Sequence, residues 1–282
     1  MTELFLDIET IPTSDPELLA EIAARHQVPA LDLSTIVPAG NIKDEAKIAA
    51  DLERKRAKAV ADHAAALAGV DKAIDEAVRK TALDTSICQI VCIAWAWDDE
   101  PVQSVEGLDE ADLLRRFWKE MTRADDSAYE DFGFRRELAP CVIAHNSGFD
   151  IRGIWRRSII NRVSPARWWP VDARPWDAGR IRDTMIMWEG VGGRISLDRL
   201  CKLLGLAGKG DVDGSMVWDL VRAGRLNEVA AYCRDDVGER LRPVYRRLID
   251  ATSSTPIPSS IGLATMSREP FDDAIPEFLE IA

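Results

Sequence analysis

Hydrophobic and polar positions in the first third of the chain predict one buried strand followed by a helical excursion. Residues 3–8 (ELFLDI) form an apolar run of strand length. Residues 43–80 are rich in Ala, Lys, Glu and Arg and predict one or two helices, with Gly69 as a candidate break between them. We therefore expect a helical insertion, about residues 43–82, after the first strand.

Further along the chain, the same periodicities predict short strands that alternate with helices. The apolar run CQIVCIAWAW precedes a D-D-E-P turn and the segment PVQSV, which together are typical of a hairpin. The remaining predicted elements are a short buried strand over 141–146 and helices over 109–121, 149–161, 196–206 and 226–250. Strands that first cluster and then alternate with helices predict an α/β fold with a mixed sheet.

Composition narrows the classes of function. The 282 residues carry a net charge of −12, which argues against broad electrostatic capture of duplex DNA because such binding needs a basic face. No apolar stretch is long enough to span a bilayer, and we expect neither a signal peptide nor a membrane partner. The five cysteines lie in apolar segments without a C-x-x-C pair, so we expect reduced core thiols in a cytoplasmic protein.

Two carboxylates with one residue between them occupy the end of the first predicted strand. Asp7 and Glu9 share a face, because strand side chains alternate between faces with a period of two. Like charges this close repel each other, and they persist where one is neutralised, where a cation lies between them, or where the strand end is hydrated. The pair alone leaves these possibilities open.

Two further acids, Asp150 and Asp236, each lie near a polar residue at a characteristic spacing. Asp150 follows a buried strand in the first turn of a helix, where an anion is favoured, and Asn146 serves there as a cap or a turn residue. Asp236 lies four residues after Tyr232 and shares its helical face, whereas Asp235 points elsewhere. Taken singly, each acid is also compatible with an ordinary surface or first-turn position.

The ordered set of motifs resembles the DEDD superfamily of 3′–5′ exonucleases, which has a ribonuclease H-like fold. LDIETIP, HNSGFD, LDRLCKLLGL and YCRDDV look most like the stand-alone relatives of the exonuclease domain of family-B DNA polymerases. Tyr232 matches the tyrosine of the DEDDy branch, since the DEDDh branch would need a histidine where this chain has Ala231. The resemblance covers roughly residues 1–250, which we expect to form the exonuclease domain, before a C-terminal tail over 251–282.

This resemblance implies a ribonuclease H-like mixed β-sheet flanked by helices and a site for two divalent ions, Mg²⁺ or Mn²⁺. The residues that match the metal-binding acids are Asp7, Glu9, Asp150 and Asp236. Asp7 would bridge the two ions, and Tyr232 would orient the attacking water through its hydroxyl group. With three histidines and no ligand-like spacing among them, the chain lacks a zinc constellation.

The resemblance also implies contacts to the substrate. The backbone around Thr10 and Ile11 would grip the terminal nucleotide. Asn146 and Phe149 would contact the next one. We expect release of nucleoside monophosphates from the 3′ end of single-stranded DNA, in replication, repair or proofreading in trans, with a DNA polymerase or another replication protein as a candidate partner. The alternatives are an exoribonuclease that trims RNA 3′ ends and a nucleic-acid-binding subunit that no longer cuts.

Three other segments carry weaker signals. The ARWWP segment could stack bases, but with nine tryptophans in the chain packing is the favoured use. Lys55, Arg56 and Lys58 on the helical insertion could close over a single strand as a lid, although the acids around them favour a solvated helix face. The acidic and apolar tail could dock on a basic partner, and we expect it instead to fold back on its own domain.

Overall fold

Seven strands form two sheets in the part of the chain that the computed structural model describes, which comprises residues 2–41, 43–130, 133–134, 139–174, 177–208, 210 and 212–253. The strands of the large sheet are β1 (Glu3–Ile11), β2 (Gln89–Trp97), β3 (Gln103–Glu106), β6 (Cys141–Ala144) and β7 (Ile181–Asp183). A small separate sheet pairs β4 (Tyr129–Glu130) with β5 (Gly133–Phe134). Most of the predicted tail, residues 254–282, lies outside the described residues.

The large sheet is mixed and has the strand order β3-β2-β1-β6-β7. β2 runs antiparallel to both β1 and β3, whereas β6 runs parallel to β1 and β7 runs parallel to β6. The first three strands therefore form a meander, and the last two arrive through helical crossovers. This α/β arrangement is that of the ribonuclease H-like fold, and it confirms the predicted fold class and the predicted hairpin.

The principal helices have the following bounds. Before the second strand lie α1 (Pro16–Arg25) and α2 (Glu45–Lys80), and between the later strands lie α3 (Glu110–Ala128) and α4 (Ser147–Ile160). After β7 follow α5 (Thr184–Glu189), α6 (Leu197–Leu203), α7 (Val217–Arg222), α8 (Leu226–Asp235) and α9 (Arg242–Ser253), with a π-helical segment, Asp236–Leu241, joining the last two. None of the described helices is both long and apolar enough to cross a membrane.

β1 continues to Ile11 and is therefore longer than the strand predicted over 3–8. It pairs with β2 along its whole length, whereas its parallel pairing with β6 stops at Phe5. Beyond that point, β1 has no strand neighbour on its second edge among the described residues. Asp7 and Glu9 consequently lie inside a strand with one open edge, at the carboxyl end of β6, and not at a hydrated strand end.

Alternating side chains of β1 divide the interior into two cores. On one face, Leu4, Leu6 and Ile8 pack with α3, α4 and a group of aromatic rings. Trp168 and Trp169 belong to this group and are 0% and 3% exposed, which confirms packing as the use of the ARWWP segment. The other face packs against α7, α8, the π-helical segment and α9. The acids of β1 point to this second face.

The helical excursion between β1 and β2 begins earlier than the sequence suggested. α1 was not predicted, although Asp15 accepts hydrogen bonds from the first-turn backbone amides and Pro16 occupies the first helical position, as in many helix starts. α2 is one continuous helix of 36 residues, and Gly69 lies within it. Its carboxyl end is anchored to α7, because Arg79 forms a two-pronged ion pair with Asp219 at 2.7 and 3.0 Å.

The proposed lid residues lie far from this anchored end. Lys58 precedes Lys80 by 22 residues, so at 1.5 Å per residue it lies about 33 Å away along the helix axis. Lys58 pairs with Asp62 at 2.6 Å, and Lys55 pairs with Asp51 at 3.0 Å. The structure therefore gives these cations intrahelical partners and does not bring them to the open edge of β1.

Candidate active site

The acidic pair of β1 lies at the open edge of the strand, on the face covered by α8. The residues opposite Asp7 and Glu9 in β2 are Ala94 and Cys92, whose small side chains leave room beside the acids. An oxygen of each acid and the sulfur of Cys233 lie within 4.8 Å of one another. Glu9 is 8% exposed, so the pair belongs to a largely buried cluster.

Asp150 reaches this cluster from the first turn of α4 and is the most deeply buried of the four predicted metal-binding acids, at 3% exposed. Burial raises the pKa of its carboxyl group well above the ordinary range, and the negative charge of Asp7 raises it further. A hydrogen bond with the backbone of Ile8 acts in the opposite direction. The carboxyl group of Asp150 thus lies against β1, close enough to Asp7 for their charges to repel.

The turn between β6 and α4 is held by Asp183 at the end of β7. Its carboxylate accepts hydrogen bonds from the backbone amides of Asn146 and Ser147 at 3.1 and 2.7 Å, and it also caps α5. Asn146 adopts a left-handed conformation with φ of 66°, which asparagine tolerates better than most residues. Asp183 is therefore occupied by backbone donors and fixes the helix that carries Asp150.

The two residues predicted to contact the second nucleotide flank this turn. Asn146 is exposed and its side chain makes no capping hydrogen bond to α4. Phe149 is half-buried and packs against the aromatic core. Both precede Asp150 by less than two helical turns, so the structure places them beside the acidic cluster; their contact with a nucleotide stays a prediction.

Tyr232, Asp236 and Arg240 follow one another at four-residue intervals, in α8 and the π-helical segment after it, and they lie on the side that faces β1. The Tyr232 hydroxyl group hydrogen-bonds with the Asp236 carboxylate, and Arg240 forms an ion pair with the same carboxylate. The Arg240 guanidinium also lies 5.5 Å from the centre of the Tyr232 ring. Asp236 is 6% exposed, whereas Asp235 is exposed, so the helix presents the acid that the spacing predicts.

The Tyr232 hydroxyl group lies in a negative environment. Burial raises the pKa of Tyr232, and the charges of Asp236, Glu9 and Asp7 raise it further. The phenol therefore stays protonated beside the acids and can donate a hydrogen bond. This environment also shows that the tyrosine lies within electrostatic reach of both acids of β1.

The helix that carries these residues changes its winding at Asp236. The π-helical segment Asp236–Leu241 ends where the Arg242 amide hydrogen-bonds with the Val237 carbonyl, five residues earlier. The next residue, Pro243, has no amide hydrogen and would clash with a carbonyl four residues earlier in a regular α-helix. A wider turn before the proline removes this conflict, and such π-bulges frequently occur at functional sites.

Cys233 lies at the centre of the cluster and was not predicted from the sequence. Its sulfur is 3.6 Å from both the carbonyl and a carboxylate oxygen of Asp7. Burial raises the pKa of this thiol well above its ordinary value, and neighbouring Cys92 and the acids of β1 raise it further. The residue is consequently a neutral thiol that hydrogen-bonds to Asp7. All five cysteines are buried and have free thiols, which confirms the predicted core positions.

The end of β1 turns away from the acids through an irregularity in its pairing. Glu9 lies opposite Cys92, but Thr10 lies opposite Ile90, so one residue of β2 is bulged at this point. The Thr10 hydroxyl group donates a hydrogen bond of 2.8 Å to the carbonyl of Ala82, just after α2. Ile11 is 5% exposed. Thr10 also lines a cavity of about 350 Å³ between the end of α2 and α7.

The donor chemistry of the cluster fits hard divalent cations. The charges of Asp7, Glu9 and Asp236 reach Tyr232, and the negative charge of Asp7 adds to burial in raising the pKa of Asp150. Cations that bind carboxylate oxygens, such as Mg²⁺ and Mn²⁺, relieve this repulsion. Arg240 forms an ion pair with Asp236. The D-x-x-x-R spacing in the sequence would have predicted this pair, because residues four apart are neighbours on a helix.

Comparison with known families identifies one that matches this chain. A family model described as a predicted 3′–5′ exonuclease related to the exonuclease domain of PolB matches residues 80–240. The matched region carries Asp150, Tyr232 and Asp236, and it begins after the strand that carries Asp7 and Glu9. More than half of the chain is therefore described by one family.

Among solved structures, the chain is similar to the family B DNA polymerase from the hyperthermophilic archaeon Pyrobaculum calidifontis. The identity is 13% and the TM-score is 0.48, and the similarity covers 88% of this chain and 24% of the polymerase chain. The chain thus spans about a quarter of that polymerase. No curated protein matches the sequence.

Proposed function

The chain belongs to the family of predicted 3′–5′ exonucleases related to the exonuclease domain of PolB, and on that premise we propose that it degrades single-stranded DNA from the 3′ end. The reaction we propose is metal-dependent hydrolysis of the terminal phosphodiester bond, with release of a nucleoside monophosphate. Two divalent ions, Mg²⁺ or Mn²⁺, are the proposed cofactors.

The observation that carries this proposal is the convergence of acids from three separate elements at the open edge of β1. Asp7 and Glu9 come from the strand, Asp150 from α4, and Asp236 from the π-helical segment after α8. These four residues would hold the ions, which supply activation of water and neutralisation of charge on the scissile phosphate when bound. Divalent cations bound there would offset the negative charge that these carboxylates bring together.

The remaining residues position the reacting groups. Tyr232 offers a protonated hydroxyl group beside Asp236, and we assign to it the orientation of the attacking water by a hydrogen bond. Arg240 holds the ring of Tyr232 and the carboxylate of Asp236 in one arrangement. Cys233 fixes Asp7 from the side of the helix. We assign contacts with the terminal nucleotide to Thr10 and Ile11, and contacts with the next one to Asn146 and Phe149.

A DNA substrate and a replication context are the finer parts of the proposal. They are supported by the relation of the family to a DNA polymerase domain, and a proofreading role in trans with a polymerase or another replication protein follows from it. The buried free thiols support a cytoplasmic location. Trimming of RNA 3′ ends is the competing activity. A non-catalytic binding subunit is disfavoured because Tyr232 and all four acids are present.

Digestion of 5′-labelled single strands tests this proposal. DNA and RNA of the same sequence are incubated with the protein in Mg²⁺, in Mn²⁺, or with a chelator. We expect a ladder of products that shortens from the 3′ end, faster on DNA than on RNA, and no products with the chelator. Faster digestion of RNA would favour the exoribonuclease, and internal cuts or intact substrates under all conditions would refute the exonuclease proposal.

A further inference from the structure

A groove lined by arginines begins at the turn that carries Asn146. It has a volume of about 430 Å³, within the range of about 300–1,000 Å³ that is usual for ligand sites. Arg152 and Arg156 line it from α4, and Arg194 lines it from the loop that follows α5. Asp183 is the one acid among the lining residues, and its carboxylate is occupied by backbone amides.

The groove lies directly beside the acidic cluster. Ile151, which follows Asp150 in the chain, is one of its lining residues. Arg152 and Arg156 follow Asp150 by two and six residues, which corresponds to about 3 and 9 Å along the helix axis. Since they are four residues apart, they lie on one face of α4. At about 100° per residue, they lie about 200° and 240° around the helix from Asp150, so they face the groove and not the acids.

These arginines are available to an anion. Arg152 and Arg194 are exposed, and neither forms an ion pair with another described residue. Arg156 is half-buried and donates a 2.8 Å hydrogen bond to Thr85, which orients its guanidinium group. Three arginines in one groove are a local reversal of sign in a chain with a net charge of −12. Such a reversal attracts anions to the groove while the rest of the surface repels them.

Three glycines among the lining residues reduce side-chain bulk in parts of the groove. Gly192 has φ of +92° and an open space where a Cβ atom would lie, and Gly148 at the start of α4 is similarly open. Gly193 is packed so closely against Glu189 that a Cβ atom would lie 2.5 Å from its side chain. Backbone without side chains allows an extended chain of phosphates and sugars to approach the arginines.

We propose that this groove binds the backbone phosphates of the single strand on the 5′ side of the scissile bond. The inference rests on the proposed function, because the strand must leave the acidic cluster in some direction and the groove offers the adjoining cationic surface. Guanidinium groups bind phosphate oxygens in a forked geometry and independently of base sequence. The arginines of α4 and of the glycine-rich loop thus take the place that the sequence analysis gave to the cations of α2.

Binding of fluorescein-labelled oligothymidylates of 4, 8 and 16 nucleotides, measured by anisotropy with a chelator present, tests the groove without catalysis. The double variant Arg152→Gln/Arg194→Gln should bind the 16-mer about tenfold more weakly than wild type at low salt. Each lost phosphate contact lowers the salt slope by about 0.7, so the two together should lower it by about 1.4. Replacement of both residues by lysine should restore most of the salt slope, because lysine keeps the charge.

The matched control is Arg56→Gln/Lys58→Gln, which removes the same charge from a distant part of α2 and should bind within twofold of wild type. Equal salt slopes for the groove variant and wild type would overturn the groove proposal. The groove proposal would also be overturned if the variant bound the oligothymidylates like wild type and lost only its affinity for thymidine 5′-monophosphate added as a competitor. The groove would then bind the product and not the strand. If wild type itself neither binds nor digests single strands, the proposed function fails. This result differs from failure of the groove proposal, in which wild type still binds and the groove variant behaves like it.

Discussion

Two groups of charged side chains, Glu110 with Arg157 and the acids around Asp7, differ in the charges that they bring together. On the α3–α4 side, Glu110 accepts hydrogen bonds from the Ile90 amide at 2.7 Å, from Asn161 at 2.7 Å, and from the Arg157 guanidinium at 2.7–3.2 Å. Every oxygen of that carboxylate has donors. At the open edge of β1, Asp7, Glu9, Asp150 and Asp236 lie with Tyr232, and Arg240 pairs with Asp236.

The difference separates a structural cluster from a functional one. Balanced groups such as Glu110 and Arg157 can be buried because each satisfies the other, and removing one leaves a costly unpaired charge. Among the acids around Asp7, the pKa of Asp150 is raised first by burial and then by the negative charge of Asp7. A fold keeps such a group of acids where a cation or a substrate completes it, and this expectation can be tested by changing one member of each cluster.

The largest effect should follow from Asp236→Asn. This change removes one charge from the acidic cluster, and we expect kcat on single-stranded DNA to fall on the order of 10³-fold, equivalent to about 4 kcal/mol. The control is Asp235→Asn on the adjacent, exposed position, which should stay within a few-fold of wild type. Single-turnover digestion measures both. A larger loss for Asp235→Asn would show that the other face of the helix carries the chemistry.

A change in the Glu110–Arg157 group should lower the stability of the fold and leave the rate of catalysis nearly unchanged. Arg157→Met leaves the Glu110 carboxylate buried without its counter-charge, so we expect the free energy of unfolding to fall by about 3–5 kcal/mol. Urea denaturation measures this change, with Arg115→Met on the exposed side of α3 as a control that should cost less than about 0.5 kcal/mol. Catalysis by the folded fraction should change by less than tenfold. If Arg157→Met left the free energy of unfolding unchanged, the ion pair with Glu110 would not have the structural role described here.

Tyr232→Phe should have an intermediate effect on rate. The variant keeps the ring beside Arg240 and loses only the hydroxyl group, so we expect kcat to fall about 10- to 100-fold with little change in stability. A matched comparison is Tyr245→Phe, which removes the hydroxyl that donates to Glu3 at 2.7 Å on the same face of the sheet. Equal rates for Tyr232→Phe and wild type would remove the tyrosine from the reaction.

The smallest effect concerns the arm formed by α2. Replacing Lys55, Arg56 and Lys58 together by glutamine should leave KM for long single strands within about twofold, because these residues lie far from the acids along the helix. A length series at two salt concentrations measures it. A rise in KM that grows with substrate length would restore the lid that the sequence suggested.

Periodicity in the sequence predicted the mixed sheet and the long helices after it, and the ordered motifs with their family resemblance predicted the candidate acids. A strand of alternating faces places Asp7 and Glu9 together, and a helix places Tyr232 above Asp236, because both patterns follow from backbone geometry alone. Of the one or two helices predicted over residues 43–80, the structure has one, because a glycine costs only about 1 kcal/mol and a long helix tolerates it. The start of α1 was readable from Asp15 and Pro16.

Other features depend on contacts between distant segments, so local sequence patterns could not predict them. Cys233 lies 226 residues from Asp7, and only the packing of α8 on β1 brings the thiol to the acid. The groove joins Arg152 to Arg194 across two helices and a loop. The winding of the helix at Asp236 follows from its tertiary packing together with Pro243. Such juxtapositions set the electrostatics of the site, which no single motif contains.

The central claim is that the acids around Asp7 bind divalent ions, and calorimetric titration of the protein with Mn²⁺ tests it most directly. Wild type should bind Mn²⁺ and gain thermal stability from it, because a ligand that binds the folded state shifts unfolding to higher temperature. Asp7→Ala should lose both effects while unfolding, without metal, at the same temperature as wild type or slightly above it, since one repelling charge is gone. Equal Mn²⁺ binding by Asp7→Ala and wild type would contradict the account.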